Sequence, residues 1–286
     1  MVEKLKKFLS LVKFSHTIFA MPFAIIGYFL AIHNNNLSFD IRIFIYVILC
    51  MIFARNAAMA FNRFIDRNID SKNPRTIIRE IPSGLINSKS ALIFVIINSI
   101  LFIITTYFIN TLTFHLSPIA LFIILSYSLT KRFTALCHII LGIGLSLAPI
   151  GAYLAVSGKF AIVPLIYSFV VLFWVSGFDI IYALQDLDFD KEEKLKSFPV
   201  FFGKKGALNI STILHILSAS LIIFAGILAH LGTFYWIGSA IFIILLFYQH
   251  IIVKPNDLSK INLAFFTTNG IASIIFSTFF LLDLFL

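Results

Sequence analysis

Nine apolar stretches, at roughly 15–33, 41–61, 89–109, 114–130, 134–156, 160–183, 208–230, 233–253 and 261–285, follow one another along the chain. Each approaches the roughly 20 residues that a helix needs to cross the hydrocarbon of a bilayer. None shows the strict alternation of a barrel strand. A helix closes its own backbone hydrogen bonds, as a span in hydrocarbon must. Two long polar segments, 62–88 and 184–207, interrupt the series, and the other connections are short. The pattern predicts an all-α, polytopic membrane protein with nine transmembrane helices, in a single domain covering 1–286. Pro22, Pro118, Pro149 and Pro164 fall within predicted spans and are expected to kink helices. The run Gly142, Gly144, Ser146, Ala148 reads as a close-packing face.

Composition sharpens this. The chain is 60% hydrophobic and 12% charged, against about 25% charged in ordinary soluble domains. A soluble enzyme, a disordered chain and a disulfide-knit scaffold are thereby excluded. Cys50 and Cys137 sit in apolar runs with no metal-ligand spacing and read as packing residues. The net charge of +9 is a matter of placement. With the N-terminus cytoplasmic, every Lys and Arg except Arg42 and Lys159 falls on the cytoplasmic side. The positive-inside rule then places the C-terminus outside. The first span has a basic start and no small-residue cleavage site after it, so it reads as a retained helix. A nucleic-acid partner finds no support.

The few acids are clustered. Asn62, Asp66 and Asp70 recur at i, i+4 and i+8, one stripe over two helical turns. Asp186 and Asp190 repeat the i, i+4 spacing, and Asp179 lies seven residues before Asp186. Like charges so placed repel, and acids at a membrane interface are costly enough to imply function. Two facing stripes of carboxylate and amide oxygens, without clustered Cys or His, suit Mg²⁺, which is usually completed by phosphate oxygens. Arg75, Arg79, Lys131 and Arg132, with Tyr127 one turn before Lys131, share that face and are positioned to neutralise a diphosphate leaving group. Arg55, seven residues before Asn62, should point into the bundle, to hold a substrate carboxylate or to pair with a motif aspartate. The histidines, His16, His33, His115, His138, His215, His230 and His250, are scattered without metal-ligand spacing and read as structural.

Asn62-x-x-x-Asp66-x-x-x-Asp70, Tyr127-x-x-x-Lys131-Arg132 and Asp179-x-x-Tyr182-x-x-x-Asp186-x-x-x-Asp190 resemble the motifs of the UbiA superfamily of intramembrane aromatic prenyltransferases. The similarity is greatest to its 4-hydroxybenzoate polyprenyltransferase-like branch. Lys13-Phe-Ser-His-Thr, Asn73-Pro-Arg-Thr76, Arg79-Glu-Ile-Pro-Ser-Gly84 and Ser197-Phe-Pro-Val200 extend it, in motifs over about 10–206 and in span pattern to the end. The resemblance implies a central cavity capped by the two polar segments. It implies Mg²⁺ on Asn62, Asp66, Asp70, Asp186 and Asp190, a prenyl diphosphate held by Arg75, Arg79, Tyr127, Lys131 and Arg132, and Asp179 and Tyr182 beside the reacting carbon. The implied reaction moves a polyprenyl group to an aromatic acid such as 4-hydroxybenzoate, in quinone synthesis at the bacterial cytoplasmic membrane. Asn62-Arg63 departs from the Asn-Asp start of many members, which leaves a naphthoate-type acceptor of menaquinone synthesis as an alternative. A secondary transporter is the alternative of another class, and its site would lie near the bilayer midplane.

Overall fold

The structure, a computed structural model, describes residues 2–12 and 19–286, with side chains from Lys7 onward. Lys13 and the Ser15-His16-Thr17 stretch lie outside the described residues. So do the side chains of Lys4 and Lys6.

Among the described residues the fold is helical apart from a single isolated bridge, Lys254 to Asp257. A short helix α1 (Val2–Leu11) precedes α2 (Met21–Asn34), α3 (Ile41–Asp70), α4 (Ser88–Tyr107), α5 (Thr111–Thr130), α6 (Cys137–Ser157) and α7 (Ile162–Ala183). A 3₁₀ turn, Leu184–Asp186, leads into α8 (Leu187–Glu192), followed by α9 (Phe198–Leu228) and α10 (Thr233–Ile252). A π-helical stretch, Leu263–Thr268, opens α11 (Asn269–Phe285). Eight helical stretches are long and apolar enough to cross a membrane, with α7 to α8 forming one of them, and α2 is a shorter apolar helix of 14 residues. The expected all-helical membrane architecture is thus present.

Two expected boundaries are corrected. The segment 62–88 is not loop from its start, because α3 continues without a break to Asp70 and carries the first acid stripe on its last turns. The segment 184–207 is largely helical too, in the 3₁₀ turn, α8 and the first turns of α9. Polar residues ended the apolar pattern at these points while helical backbone hydrogen bonding went on. Gly203, at φ 66° and ψ 178°, breaks α9 and turns the interfacial Phe198–Phe202 segment away from the long span. That left-handed φ suits glycine, which carries no Cβ.

The prolines divide. Pro22 and Pro164 sit in the first turns of α2 and α7, where a missing N–H has no intrahelical acceptor to lose. Only Pro118 and Pro149 lie inside helices. The tightest approach is between α2 and α6, where a Cβ on Gly27 would stand 2.1 Å from the Pro149 carbonyl oxygen.

The largest buried cluster joins α2, α7, α9, α10 and α11 around Phe23, Trp174, Phe242 and Phe276. Buried polar ties fix these helices together. Trp174 Nε1 donates to Asn269 Oδ1 at 2.7 Å, and Gln249 Nε2 donates to the same oxygen at 2.8 Å. His215 and His250, two of the histidines read as structural, approach at 2.9 Å between α9 and α10. With these helices braced behind it, the other side of α7 faces a cavity shared with α3, α5 and α6.

Candidate active site

That cavity measures about 650 Å³. Its walls change character along its length. Phe102, Ile109, Leu116, Leu147 and Leu154 line one part, while Asn62, Asp66, Asp70, Asp186 and Asp190 line the other. The acids stand at the last turns of α3 and just beyond α7, so the polar part is at helix ends, not helix centres.

Each acid of the two stripes is held by a cation. Asp66 Oδ1 accepts from Arg132 Nη2 at 2.7 Å, and Asn62 Nδ2 donates to Asp66 Oδ2 at 3.1 Å. Arg79 Nη1 lies 2.7 and 2.8 Å from the two oxygens of Asp70. Arg75 grips Asp186 through Nε at 2.9 Å and Nη2 at 2.5 Å. Lys131 Nζ meets Asp190 Oδ1 at 2.7 Å, with Ser197 Oγ 3.4 Å from Asp190 Oδ2.

Local structure makes these pairs. The turn after α3 is set by Asn73, whose Oδ1 accepts from the Arg75 backbone N–H at 2.9 Å while its Nδ2 donates to Asp186 at 3.1 Å. This side-chain turn, a common use of Asn, swings Arg75 across to the second stripe. Thr76 Oγ1 donates to the Asp70 carbonyl at 3.1 Å and closes the same turn. Lys131 and Arg132 follow directly on α5, and the Lys196 backbone N–H donates to the Lys131 carbonyl at 2.8 Å. Arg75 lies outside the spans. Burial works against its charge, but its hydrogen bonds to Asp186 and the charge there outweigh it, holding the guanidinium pKa above its usual value.

Tyr182 joins the group from α7. Its hydroxyl accepts from Arg75 Nη1 at 3.2 Å, and its ring stacks on Phe265 with centroids 4.1 Å apart. Tyr127 lines the cavity beside Lys131. Arg55 also lines it and donates through Nη1 to the Val12 carbonyl at 2.9 Å. All of the candidate metal-, diphosphate- and acceptor-binding residues named from the sequence, with Asp179 and Tyr182, therefore line one cavity.

Two features escaped the sequence reading. Asp179 is bound by His138, Nδ1 to Oδ2 at 2.6 Å, a partnership that the scattered histidines gave no sign of. The two are 41 positions apart in the chain, a separation that carries no local signal, and the packing of α6 on α7 brings them together. Arg63, seen as a departure in the first motif, is 6% exposed on the cavity wall, and its Nε has no hydrogen-bond partner among the described residues.

Chemically, the arrangement offers hard oxygens and fixed cations at one end of an otherwise apolar chamber. That suits a substrate with an anionic head and a hydrocarbon tail. Among the described residues, no three His, Cys, Asp or Glu side chains stand together as ligands for one ion.

Comparison with known proteins agrees with this division. Residues 20–271 match the UbiA prenyltransferase family. The 4-hydroxybenzoate octaprenyltransferase of Aliivibrio fischeri strain MJ11 is 32% identical over 242 residues, 83% of this chain and 82% of that protein. The apo structure of a UbiA homolog from Aeropyrum pernix K1 is 30% identical, with a TM-score of 0.84 over 94% of this chain and 98% of its own. A UbiA homolog from Archaeoglobus fulgidus, solved with DMAPP and Mg²⁺, shares the fold at a TM-score of 0.77 and 23% identity, over 97% of this chain and 99% of its own. The motifs, the cavity they line and the match along most of the sequence converge, and the chain belongs to the UbiA prenyltransferase family as an integral membrane enzyme.

Proposed function

We propose that the protein transfers a polyprenyl group from a prenyl diphosphate to 4-hydroxybenzoate, in quinone biosynthesis, with Mg²⁺ as cofactor. The observation that carries this reading is the joining of four acid–cation pairs to an apolar chamber in one cavity. The similarity to 4-hydroxybenzoate octaprenyltransferases supports the choice of acceptor.

The donor set fits the metal. Asn62, Asp66, Asp70, Asp186 and Asp190 offer only oxygen ligands in one cavity, as Mg²⁺ prefers. Mg²⁺ bound there would neutralise charge developing on the diphosphate as the allylic C–O bond breaks. Arg75, Arg79, Lys131 and Arg132, with Tyr127, would bind the diphosphate oxygens, and its electron pair would leave with pyrophosphate. The apolar walls would keep water from the allylic cation. The electron-rich ring of the acceptor would bond to that carbon and lose a proton to regain aromaticity. Arg55 would hold the acceptor carboxylate, and Asp179 and Tyr182 would lie beside the reacting carbon. The prenyl tail would leave sideways into the bilayer.

The bias of Lys and Arg supports insertion in the bacterial cytoplasmic membrane with the N-terminus inside and the C-terminus outside. A transporter is disfavoured, because its site would be expected near the midplane.

The test is purified protein supplied with geranyl diphosphate, Mg²⁺ and either 4-hydroxybenzoate or a hydroxynaphthoic acid, read by mass spectrometry. Prenylated 4-hydroxybenzoate with pyrophosphate released in equal amount is expected. Turnover of the naphthoic acid alone would transfer the reading to menaquinone synthesis.

A further inference from the structure

His138 is the second residue of α6, and Asp179 lies on the last turns of α7. The imidazole is 3% exposed and stacks on Phe198, with ring centroids 5.6 Å apart. Its own carbonyl accepts from Ser176 Oγ on α7 at 3.2 Å. Ring and backbone are therefore both fixed when Nδ1 meets Asp179 Oδ2 at 2.6 Å. The other ring nitrogen, Nε2, is buried with no hydrogen-bond partner among the described residues.

A carboxylate oxygen at this distance accepts, so Nδ1 carries a proton and donates it to Oδ2 of Asp179. Among the described residues no Lys or Arg pairs with it, whereas Asp66, Asp70, Asp186 and Asp190 each have one. One oxygen of Asp179 is thus fixed by an imidazole rather than by a Lys or Arg, and the carboxylate faces the cavity as a hydrogen-bond acceptor.

We infer that His138 is a positioning residue for Asp179, a fixed hydrogen-bond donor that orients this carboxylate to accept a hydrogen bond from the hydroxyl of the aromatic acceptor. The inference rests on the proposed prenyl transfer to a hydroxylated aromatic acid. A hydrogen bond from that hydroxyl to Asp179 raises electron density in the ring, which is what attack on an allylic cation requires.

The experiment compares wild type with His138→Leu, His138→Asn and His138→Gln, using geranyl diphosphate and 4-hydroxybenzoate, with thermal melting of each purified variant as the folding control. His138→Leu should lose about 10- to 100-fold in kcat, the range seen when a supporting hydrogen bond to a functional group is removed. Its KM for geranyl diphosphate should stay within about twofold, because His138 touches none of the diphosphate cations. At least one amide variant should recover most of the loss, since an amide N–H also donates without titrating. Unchanged kcat in His138→Leu would overturn the inference. So would a loss confined to KM for geranyl diphosphate, or two folded amide variants as slow as His138→Leu. Failure of wild type to prenylate 4-hydroxybenzoate would instead count against the proposed acceptor, and the same comparison on the acid that is converted would then decide the role of His138.

Discussion

Arg75 and Asp186 form a two-pronged pair across the mouth of the cavity, with Nε and Nη2 of the guanidinium on the two carboxylate oxygens at 2.9 and 2.5 Å. They come from opposite walls, the turn after α3 and the end of α7. The pair therefore ties the two acid motifs together. The planar fork of Arg matches carboxylate and phosphate alike, so this side chain can pass from Asp186 to a diphosphate without changing its own geometry.

Arg75→Lys tests that exchange. Lysine keeps the charge and loses the fork. KM for the prenyl diphosphate should rise about tenfold, the loss of one good charge-assisted hydrogen bond, while KM for the aromatic acid changes little. Steady-state kinetics with each substrate varied in turn is the measurement. An unchanged KM would mean that Arg75 serves only to hold Asp186.

Metal dependence divides activity from stability in an informative way. Chelation with EDTA should bring prenyl transfer to background, and added Mg²⁺ should restore it. The same chelation should leave the melting temperature of the substrate-free protein unchanged, because the acids of both stripes are already balanced by Arg75, Arg79, Lys131 and Arg132. Asp66→Ala should lower kcat by at least about 100-fold, as loss of a group that stabilises transition-state charge does. Turnover that survived chelation would remove Mg²⁺ from the proposed chemistry.

In the pair Lys131–Asp190 the acid is the most deeply buried of the four, with its side chain fully buried, while Lys131 is 34% exposed. Removing one member of a buried pair leaves the other uncompensated, at about 3–5 kcal/mol. Lys131→Met should therefore lower the melting temperature of the ligand-free protein by several degrees. Adding Asp190→Asn should recover much of the loss, since the stranded charge is then gone. If the two changes simply added, the pair would not be an energetic unit.

Much of this was legible in the chain itself. Apolar runs located the helices because a span in hydrocarbon tolerates few charges. The i, i+4 recurrence of Asn62, Asp66 and Asp70 marked one helical face wherever α3 ended. The helix ends were less legible, because at the membrane surface a helix continues after its apolar signal stops, as α3 does to Asp70. Long-range partners were not legible. Neither His138 with Asp179 nor Arg132 with Asp66 carries a local spacing rule, and the approach of two helices puts them in contact. Nor did the motif say which cation meets which acid, since four cations and four acids of similar type converge on one mouth.

The small-residue run on α6 separates two positions that look alike in sequence. A Cβ on Gly142 would stand 2.3 Å from Ser176 Oγ and 2.6 Å from the Leu172 carbonyl oxygen, whereas on Gly144 the nearest atom would be the Ile124 Cα at 3.9 Å. The clash with the Leu172 carbonyl involves α7 backbone, which rotation of a side chain cannot relieve, so Gly142→Ala must push α6 away from α7. Overpacking of this kind costs about 1–3 kcal/mol or more. Gly144→Ala meets ordinary contact and removes the entropy penalty of a mid-helix glycine, a gain of about 0.5–1 kcal/mol. Ser176 also donates to the His138 carbonyl, so displacing α6 at Gly142 should disturb the His138–Asp179 contact one turn away. Thermal melting together with kcat should show Gly142→Ala impaired in both and Gly144→Ala melting no lower than wild type. Equal behaviour of the two variants would show that α6 and α7 can separate without loss, and that Gly142 does not set their approach.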